Sequence, residues 1–208
     1  MLEVPQRQVR ASFDDATIVV YQAYPRAIAD AATTAGTFVP PFKRERMTWI
    51  KPSFLWMMYR SGWATKPGQE RVLAVRITRA GFERALVASC LSHFDRTVYD
   101  DATAWAARMR ESEVRVQWDP ERTPSGSPLP YRSLQVGLSG GAVDAYVDEW
   151  IVGIDDITER VHELRGLLRT DPDTLATALP PERPYPLIDN VASVVGATPA
   201  TPTTGAVR

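Results

Sequence analysis

The segment RMTWIKPSFLWMMYRSGW, residues 46–63, brings aromatic and basic side chains together within eighteen residues. Its apolar block FLWMM, residues 54–58, predicts a short buried helix that starts after Pro52 and ends near Gly62. Trp49 precedes Pro52 and lies outside that helix, so the seven-residue spacing of the tryptophans does not indicate a coiled coil. The segment therefore predicts a helix anchored in the core and flanked by polar donors.

The chain on both sides of this segment alternates between strand-like and helix-like patterns. Strands are predicted from apolar and β-branched runs at 16–23, 71–78, 113–118, 133–138 and 151–154. Helices are predicted at 25–36, 81–91, 100–109, 142–149 and 158–168, and a turn-rich segment at 119–129. Because single helices do not regularly join the strands, we expect an α+β fold with a small split or mixed β-sheet around a cleft and flanking helices.

The overall composition excludes several classes of protein. The 208 residues include 24 basic and 25 acidic side chains, a balance that argues against a generic DNA coat or a polybasic membrane binder. One cysteine and two histidines provide neither a disulfide framework nor the usual four ligands of a structural zinc ion, so no metal is expected. No signal peptide or membrane span is recognisable, and we expect a cytoplasmic protein without a membrane partner.

The composition changes near the C-terminal end. From about residue 180 the chain is rich in proline, threonine and alanine, which cannot bury enough apolar surface to offset the entropy of ordering. We therefore expect a single domain over residues 1–175 and a tail over residues 176–208 whose end is disordered.

Long polar side chains surround the aromatic block of residues 46–63. Cationic donors beside aromatic faces suit a flat anionic ligand such as a nucleotide, whose base stacks on the rings and whose phosphates meet the cations. The alternative is that these cations and rings pack on each other as cation–π pairs without any ligand, which is common. The ligand-binding residues predicted in this part of the chain are Arg46, Thr48, Trp49, Lys51, Ser53, Tyr59 and Arg60.

A second polar cluster, VQWDPERTP at residues 116–124, follows a predicted strand. Residues on loops held by a rigid strand often carry function, and Glu121 is the candidate catalytic carboxylate. The alternative is that Asp119 and Arg122 only close the turn with a surface ion pair worth less than about 1 kcal/mol. Ligand-binding roles are predicted for Gln117, Asp119, Arg122 and Arg132.

The third candidate position is Gln22, between Tyr21 and Tyr24 in the first predicted strand. An amide with aromatic neighbours fits a cleft at a strand end, and we include it among the ligand-binding residues. A core amide with all its hydrogen bonds satisfied is the alternative.

Four segments together resemble the bacterial and fungal family called domain of unknown function 4291. They are VYQAY at 20–24, the long segment at 46–77, VQWDPER with YRSLQVGL within 116–138, and WIVGIDDIT at 150–158. The resemblance extends from about residue 7 to residue 168. It implies membership of a family but no activity.

The order of elements is also similar to that of ADP-ribosyltransferase-like enzymes, which have a small split sheet around a cleft. That analogy implies NAD as cofactor, aromatic residues that hold nicotinamide, and Glu121 stabilising an oxocarbenium-like ribose. The usual arginine or histidine of the first strand is not evident.

Three functions are compatible with these patterns. The first is an enzyme that uses NAD to transfer ADP-ribose or to cleave a glycosidic bond. The second is a non-catalytic module that binds a nucleotide or single-stranded nucleic acid on a stacking platform. The third is a structural or interaction protein in which the aromatic block is all core. The oligomeric state is not predicted.

Overall fold

The computed structural model describes residues 4–198 and contains both helices and strands. The helices are α1 (Arg26–Ala35), α2 (Phe54–Ser61), α3 (Arg79–Ala88), α4 (Ala102–Glu111), α5 (Gly141–Ala145), α6 (Thr158–Thr170), α7 (Pro172–Ala178) and α8 (Asp189–Val195). A π-helical turn, Tyr146–Trp150, continues α5. The strands are β1 (Arg10–Ala11), β2 (Thr17–Tyr24), β3 (Thr48–Ile50), β4 (Arg71–Thr78), β5 (Ser89–Leu91), β6 (Val114–Arg122), β7 (Pro128–Leu138), β8 (Ile151–Asp156) and β9 (Arg183–Pro184).

Two sheets of unequal size form the centre of the fold. The three-stranded sheet has the order β2-β4-β8 and is antiparallel. The four-stranded sheet has the order β3-β7-β6-β5, and only its β5–β6 pair is parallel. The short strands β1 and β9 form a separate antiparallel pair. This arrangement of helices with small mixed and antiparallel sheets confirms the predicted α+β class.

The two larger sheets meet between β2 and the end of β3. The backbone N–H of Tyr21 donates to the carbonyl oxygen of Lys51 at 2.7 Å. Val20 and Ile50, which neighbour these two residues, are completely buried in the main apolar core. The junction therefore holds a residue of β2 beside the segment that follows β3.

Helix α2 begins and ends as its sequence predicts. The Ser53 side chain accepts a hydrogen bond from the Trp56 backbone N–H at 3.1 Å, which caps the N-terminus. Gly62 ends the helix in the left-handed region at φ 61°, a conformation that glycine adopts without steric cost. The buried face of α2 includes Phe54, Met57 and Met58, which belong to a second apolar cluster with α6 and α7.

Two predicted boundaries are wrong. The helix expected over 81–91 ends at Ala88, because residues 89–91 pair in parallel with β6 and complete the four-stranded sheet. The turn expected over 119–129 is shorter, because β6 continues to Arg122 and β7 already begins at Pro128. In both places tertiary pairing overrides the local signal.

The chain beyond residue 175 also contributes to the core. Tyr185, Val191 and Val195 are buried in the main apolar cluster, and α8 packs against α3 and β5. The edge of the core therefore does not coincide with the boundary expected at residue 175. The far end of the expected tail, residues 199–208, lies outside the described residues. None of the helices within residues 4–198 is long and apolar enough to cross a membrane.

Candidate functional site

A cleft of about 700 Å³ opens where the two sheets meet α2. This volume lies within the range of about 300–1,000 Å³ that is typical of small-molecule sites. Seven of the predicted site residues line the cleft, and they come from β2, from β3 with the segments beside it, from α2 and from β6: Gln22, Arg46, Thr48, Trp49, Lys51, Arg60 and Gln117.

The lining of the cleft is basic. It includes Lys43, Arg46, Lys51 and Arg60, and no aspartate or glutamate is among the described residues that line it. A concave wall with one sign of charge attracts ligands of the opposite sign. The cleft is therefore suited to an anionic ligand, although the net charge of the whole chain is −1.

Trp49 forms an aromatic part of the wall, and its position depends on a glycine. Trp49 pairs with Gly137 across the β3–β7 ladder. A Cβ atom at Gly137 would lie 3.0 Å from ring atoms of Trp49 and 2.9 Å from the sulfur of Met47. The absence of a side chain at this position of β7 therefore leaves room for the indole beside the sheet.

Gln22 is held by a buried hydrogen-bond network. Its Nε2 atom donates to the Thr48 hydroxyl at 2.7 Å and to the Tyr24 hydroxyl at 2.8 Å. Its Oε1 atom accepts from the Tyr146 hydroxyl at 2.7 Å. The two alternatives considered for Gln22 are thus combined: it lines the cleft, and its amide is satisfied by protein groups. Its role in the cleft is to position Thr48.

Lys51 is the buried cation of the cleft. Its residue surface is 6% exposed, and its ammonium lies 5.1 Å from the centroid of the Trp56 ring. Its Nζ donates to the Trp49 carbonyl oxygen at 3.4 Å, which is a weak hydrogen bond. The pKa of Lys51 is lowered to about 7, mainly by burial and also by the positive charge of Arg60, while the negative charge of Asp119 acts in the opposite direction.

Helix α2 contributes Trp56 and Arg60 to the same wall. Arg60 is exposed, and its Nη1 atom donates to the Gln69 side chain at 3.2 Å. The indole N–H of Trp56 is buried and has no acceptor among the described residues. An unsatisfied buried donor is unusual in a folded protein, and a ligand acceptor in the cleft would satisfy it.

Asp119 orients two amides of the cleft and does not line it. Its carboxylate accepts from Gln117 Nε2 at 2.8 Å and from Gln135 Nε2 at 2.6 Å. Both donors belong to side chains that line the cleft. The Asp119 charge therefore fixes which faces of these amides remain available to a ligand.

Glu121, the predicted catalytic carboxylate, is buried and does not line the cleft. Its Oε1 atom accepts from the Arg122 backbone N–H at 2.8 Å, next to an irregularity in the β6–β7 pairing between Pro120 and Arg122. Burial raises the pKa of Glu121, while the Arg122 N–H and the Ser53 hydroxyl act in the opposite direction. Ser53, also predicted to bind ligand, is the cap of α2 and lies outside the cleft lining.

A second carboxylate lies close to Glu121. Glu182 accepts from the Phe54 backbone N–H at 2.6 Å, at the first residue of α2. The pKa of Glu182 is raised to about 8, mainly by burial and also by the neighbouring charge of Glu121, while the Phe54 N–H acts in the opposite direction. The C-terminal segment thus contacts the helix that carries Trp56 and Arg60.

Three other predicted ligand-binding residues lie outside the cleft lining. The Arg122 guanidinium lies 3.8 Å from the centroid of the Tyr59 ring, so these two residues pack against each other. Arg132 donates to the Trp118 carbonyl oxygen at 3.1 Å and lines a separate hollow of about 390 Å³. For Tyr59 the structure has the cation–π packing that was the alternative to ligand contact. Arg122, for which an ion pair with Asp119 was the alternative, packs on the Tyr59 ring instead.

Several lining residues are not marked by any pattern in their own part of the sequence. Gln135 lies seventeen positions beyond Trp118 on the next strand, and Gln69 and Met47 stand in loops without a local pattern. Lys43 belongs to a basic, proline-rich loop, and the composition of that loop is the sequence feature that could have indicated Lys43 as a site residue. Within residues 4–198 no group of three or more histidine, cysteine, aspartate or glutamate side chains is arranged to hold a metal ion.

Comparison with known families agrees with the resemblance seen in the sequence. The family model described as "Domain of unknown function (DUF4291)" matches residues 8–185. This range includes every lining residue of the cleft as well as Glu121 and Glu182. No curated protein matches the chain.

Proposed function

The chain belongs to the DUF4291 family, whose description names no activity, and we propose from the cleft itself that the protein binds a nucleotide such as NAD or ADP-ribose. The observation that carries the proposal is a cleft of about 700 Å³ lined by four basic side chains, two tryptophans and no carboxylate of the described residues. Nucleotides combine a flat ring with anionic phosphates, and these are the two features that such a lining recognises.

The shape of the site favours a small ligand over single-stranded nucleic acid. Trp56 is buried and Trp49 is half-buried, so their rings do not form an open row on the surface. Modules that bind single strands use exposed aromatic side chains along a groove that follows the backbone. Binding of an RNA or DNA oligomer is therefore the competing outcome of the experiment below.

An NAD-consuming reaction is the catalytic form of this proposal. Transfer of ADP-ribose, or cleavage of the bond to nicotinamide, needs a carboxylate close to the ribose as positive charge develops there. Glu121 is buried and lies outside the cleft lining, so we restrict the proposal to binding. Release of nicotinamide by the wild type, and its loss in Glu121→Gln, would extend the proposal to catalysis.

Thermal shift with NAD, ADP-ribose, ATP, GTP and short RNA and DNA oligomers tests the proposal, because a ligand that binds only the folded state raises Tm. We expect a shift with NAD or ADP-ribose that is reduced in Arg60→Ala, which removes an exposed cation of the cleft. Arg165→Ala, at an exposed arginine of α6 outside the cleft, is the matched control. A shift with oligomers alone, or equal shifts in both variants, would contradict nucleotide binding in this cleft.

A further inference from the structure

Lys51 differs from the other cations of the chain in both residue type and surroundings. The sequence has 24 basic residues, of which three are lysines: Lys43, Lys51 and Lys66. Lys51 is the buried one of these three. An arginine stays protonated in proteins, whereas a buried lysine can exist as a neutral amine. The chain thus has a deprotonatable cation at the most enclosed basic position of the cleft.

The contacts of Lys51 leave its amine available to a ligand. Within residues 4–198 it has no ion pair, and its Nζ donates one weak hydrogen bond, to the Trp49 carbonyl oxygen at 3.4 Å. The charged groups that act on it are Arg60, on α2, and Asp119, whose carboxylate is already bonded to Gln117 and Gln135. A desolvated lysine beside another cation is an arrangement that activates an amine as a nucleophile.

We propose that Lys51 is a nucleophilic amine that binds the carbonyl group of an anionic aldehyde or ketone as an imine. The neutral Nζ attacks the carbonyl carbon, and the carbonyl oxygen takes up a proton from the nitrogen to give a carbinolamine. The nitrogen lone pair then forms the C=N bond as the C–O bond breaks, and the departing hydroxide takes the second proton of the amine and leaves as water. The step needs no oxidant or reductant.

The remaining lining of the cleft selects the carbonyl compound. Arg60 and Arg46 supply positive charge for a phosphate or carboxylate of the ligand, and the Trp49 and Trp56 rings border the same space. Burial and the Arg60 charge lower the pKa of Lys51 to about 7. At pH 7 roughly half of the amine is then neutral, against about one part in three thousand for an ordinary lysine.

Pyridoxal 5′-phosphate is a suitable probe, because it carries an aldehyde, an aromatic ring and a phosphate. The full chain is incubated with this probe at pH 7, reduced with borohydride, digested and analysed by mass spectrometry. We expect at least about ten times more adduct on Lys51 than on the exposed Lys43 and Lys66. Equal labelling of the three lysines, or no adduct on Lys51, would overturn the proposal.

This inference rests, like the proposed nucleotide binding, on the anion-binding character of the cleft. Variants are therefore needed to test the two proposals separately. Lys51→Arg keeps the charge and is expected to lose the adduct, while Lys66→Arg keeps the Lys51 adduct. If Lys51→Arg fails to fold, the amount of adduct on Lys51 relative to Lys43 and Lys66 in the wild type still tests the proposal. A Tm shift with NAD without an adduct contradicts the imine alone, and an adduct without any nucleotide shift contradicts the nucleotide proposal alone.

Discussion

The ammonium of Lys51 lies 5.1 Å from the centroid of the Trp56 ring, and both side chains line the same cleft. This contact joins the end of β3 to α2, so the sequence segment that forms the core helix also supplies the charge and one of the rings of the site. The cost of burying the Lys51 ammonium is the first quantity that can be measured.

Replacing Lys51 with methionine should stabilise the protein at low pH. Because the pKa is lower in the folded chain than its ordinary value of 10.5, the unfolded chain binds more protons between about pH 7 and pH 10.5. The wild type therefore gains stability as pH rises through that window, by at most about 1.4 kcal/mol per pH unit. Chemical denaturation at pH 6, 8 and 10 should show an advantage of Lys51→Met that shrinks with rising pH. An advantage independent of pH would contradict this account.

Glu182→Gln should have the opposite pH dependence. The Glu182 pKa is raised from 4.5 to about 8, so the folded chain binds more protons than the unfolded chain between these values. The wild type then loses stability as pH rises from about 4.5 to 8. The amide oxygen of glutamine can still accept from the Phe54 N–H. We expect the Tm of Glu182→Gln to exceed that of the wild type by more at pH 8 than at pH 5. A difference in Tm that does not change with pH would contradict a raised pKa of Glu182.

Gly137→Ala should affect ligand binding by displacing Trp49. The added Cβ would lie 3.0 Å from the indole and 2.9 Å from the Met47 sulfur, so both side chains must shift along the wall by a few tenths of an ångström. We expect the nucleotide-induced shift in Tm to fall by at least half. Gly166→Ala on α6 is the control, because a Cβ added at Gly166 would have no atom within 4 Å. Alanine should stabilise the helix there by about 0.5–1 kcal/mol relative to glycine. An unchanged nucleotide shift in Gly137→Ala would show that Trp49 does not contact the ligand.

Tyr59→Ala and Arg122→Ala should destabilise the protein without weakening nucleotide binding. Their side chains stack at 3.8 Å and do not line the cleft. Loss of such a cation–π contact costs about 0.5–2 kcal/mol. Urea denaturation measures the loss, and the nucleotide-induced shift in Tm should match that of the wild type. A selective loss of binding in either variant would return these residues to the ligand site.

Local patterns predicted most of the elements, and about half of the predicted site residues line the cleft. Helix α2, β2 and β4 follow from apolar runs, from Pro52 before the helix and from the stop glycine Gly62, which act within a few residues. Seven of the thirteen predicted residues line the cleft because the same segments, around β3 and α2, also form its walls.

The remaining features depend on contacts between distant parts of the chain. Arg122 faces Tyr59 rather than the cleft because the β6–β7 hairpin is longer than its turn signals indicate. Glu182 reaches α2 from a segment whose composition resembles a tail. Gln135 joins Gln117 only through strand pairing. No local pattern of residues encodes such long-range pairings.

Calorimetric titration of NAD into the wild type, Trp49→Ala and Trp105→Ala tests nucleotide binding in the cleft most directly. Trp49 lines the cleft, whereas Trp105 is a half-buried tryptophan of α4 outside it. We predict one-to-one binding to the wild type, a loss of about tenfold or more in affinity for Trp49→Ala from lost stacking, and wild-type affinity for Trp105→Ala. No binding of NAD to the wild type, or equal affinity in Trp49→Ala and the wild type, would contradict the account.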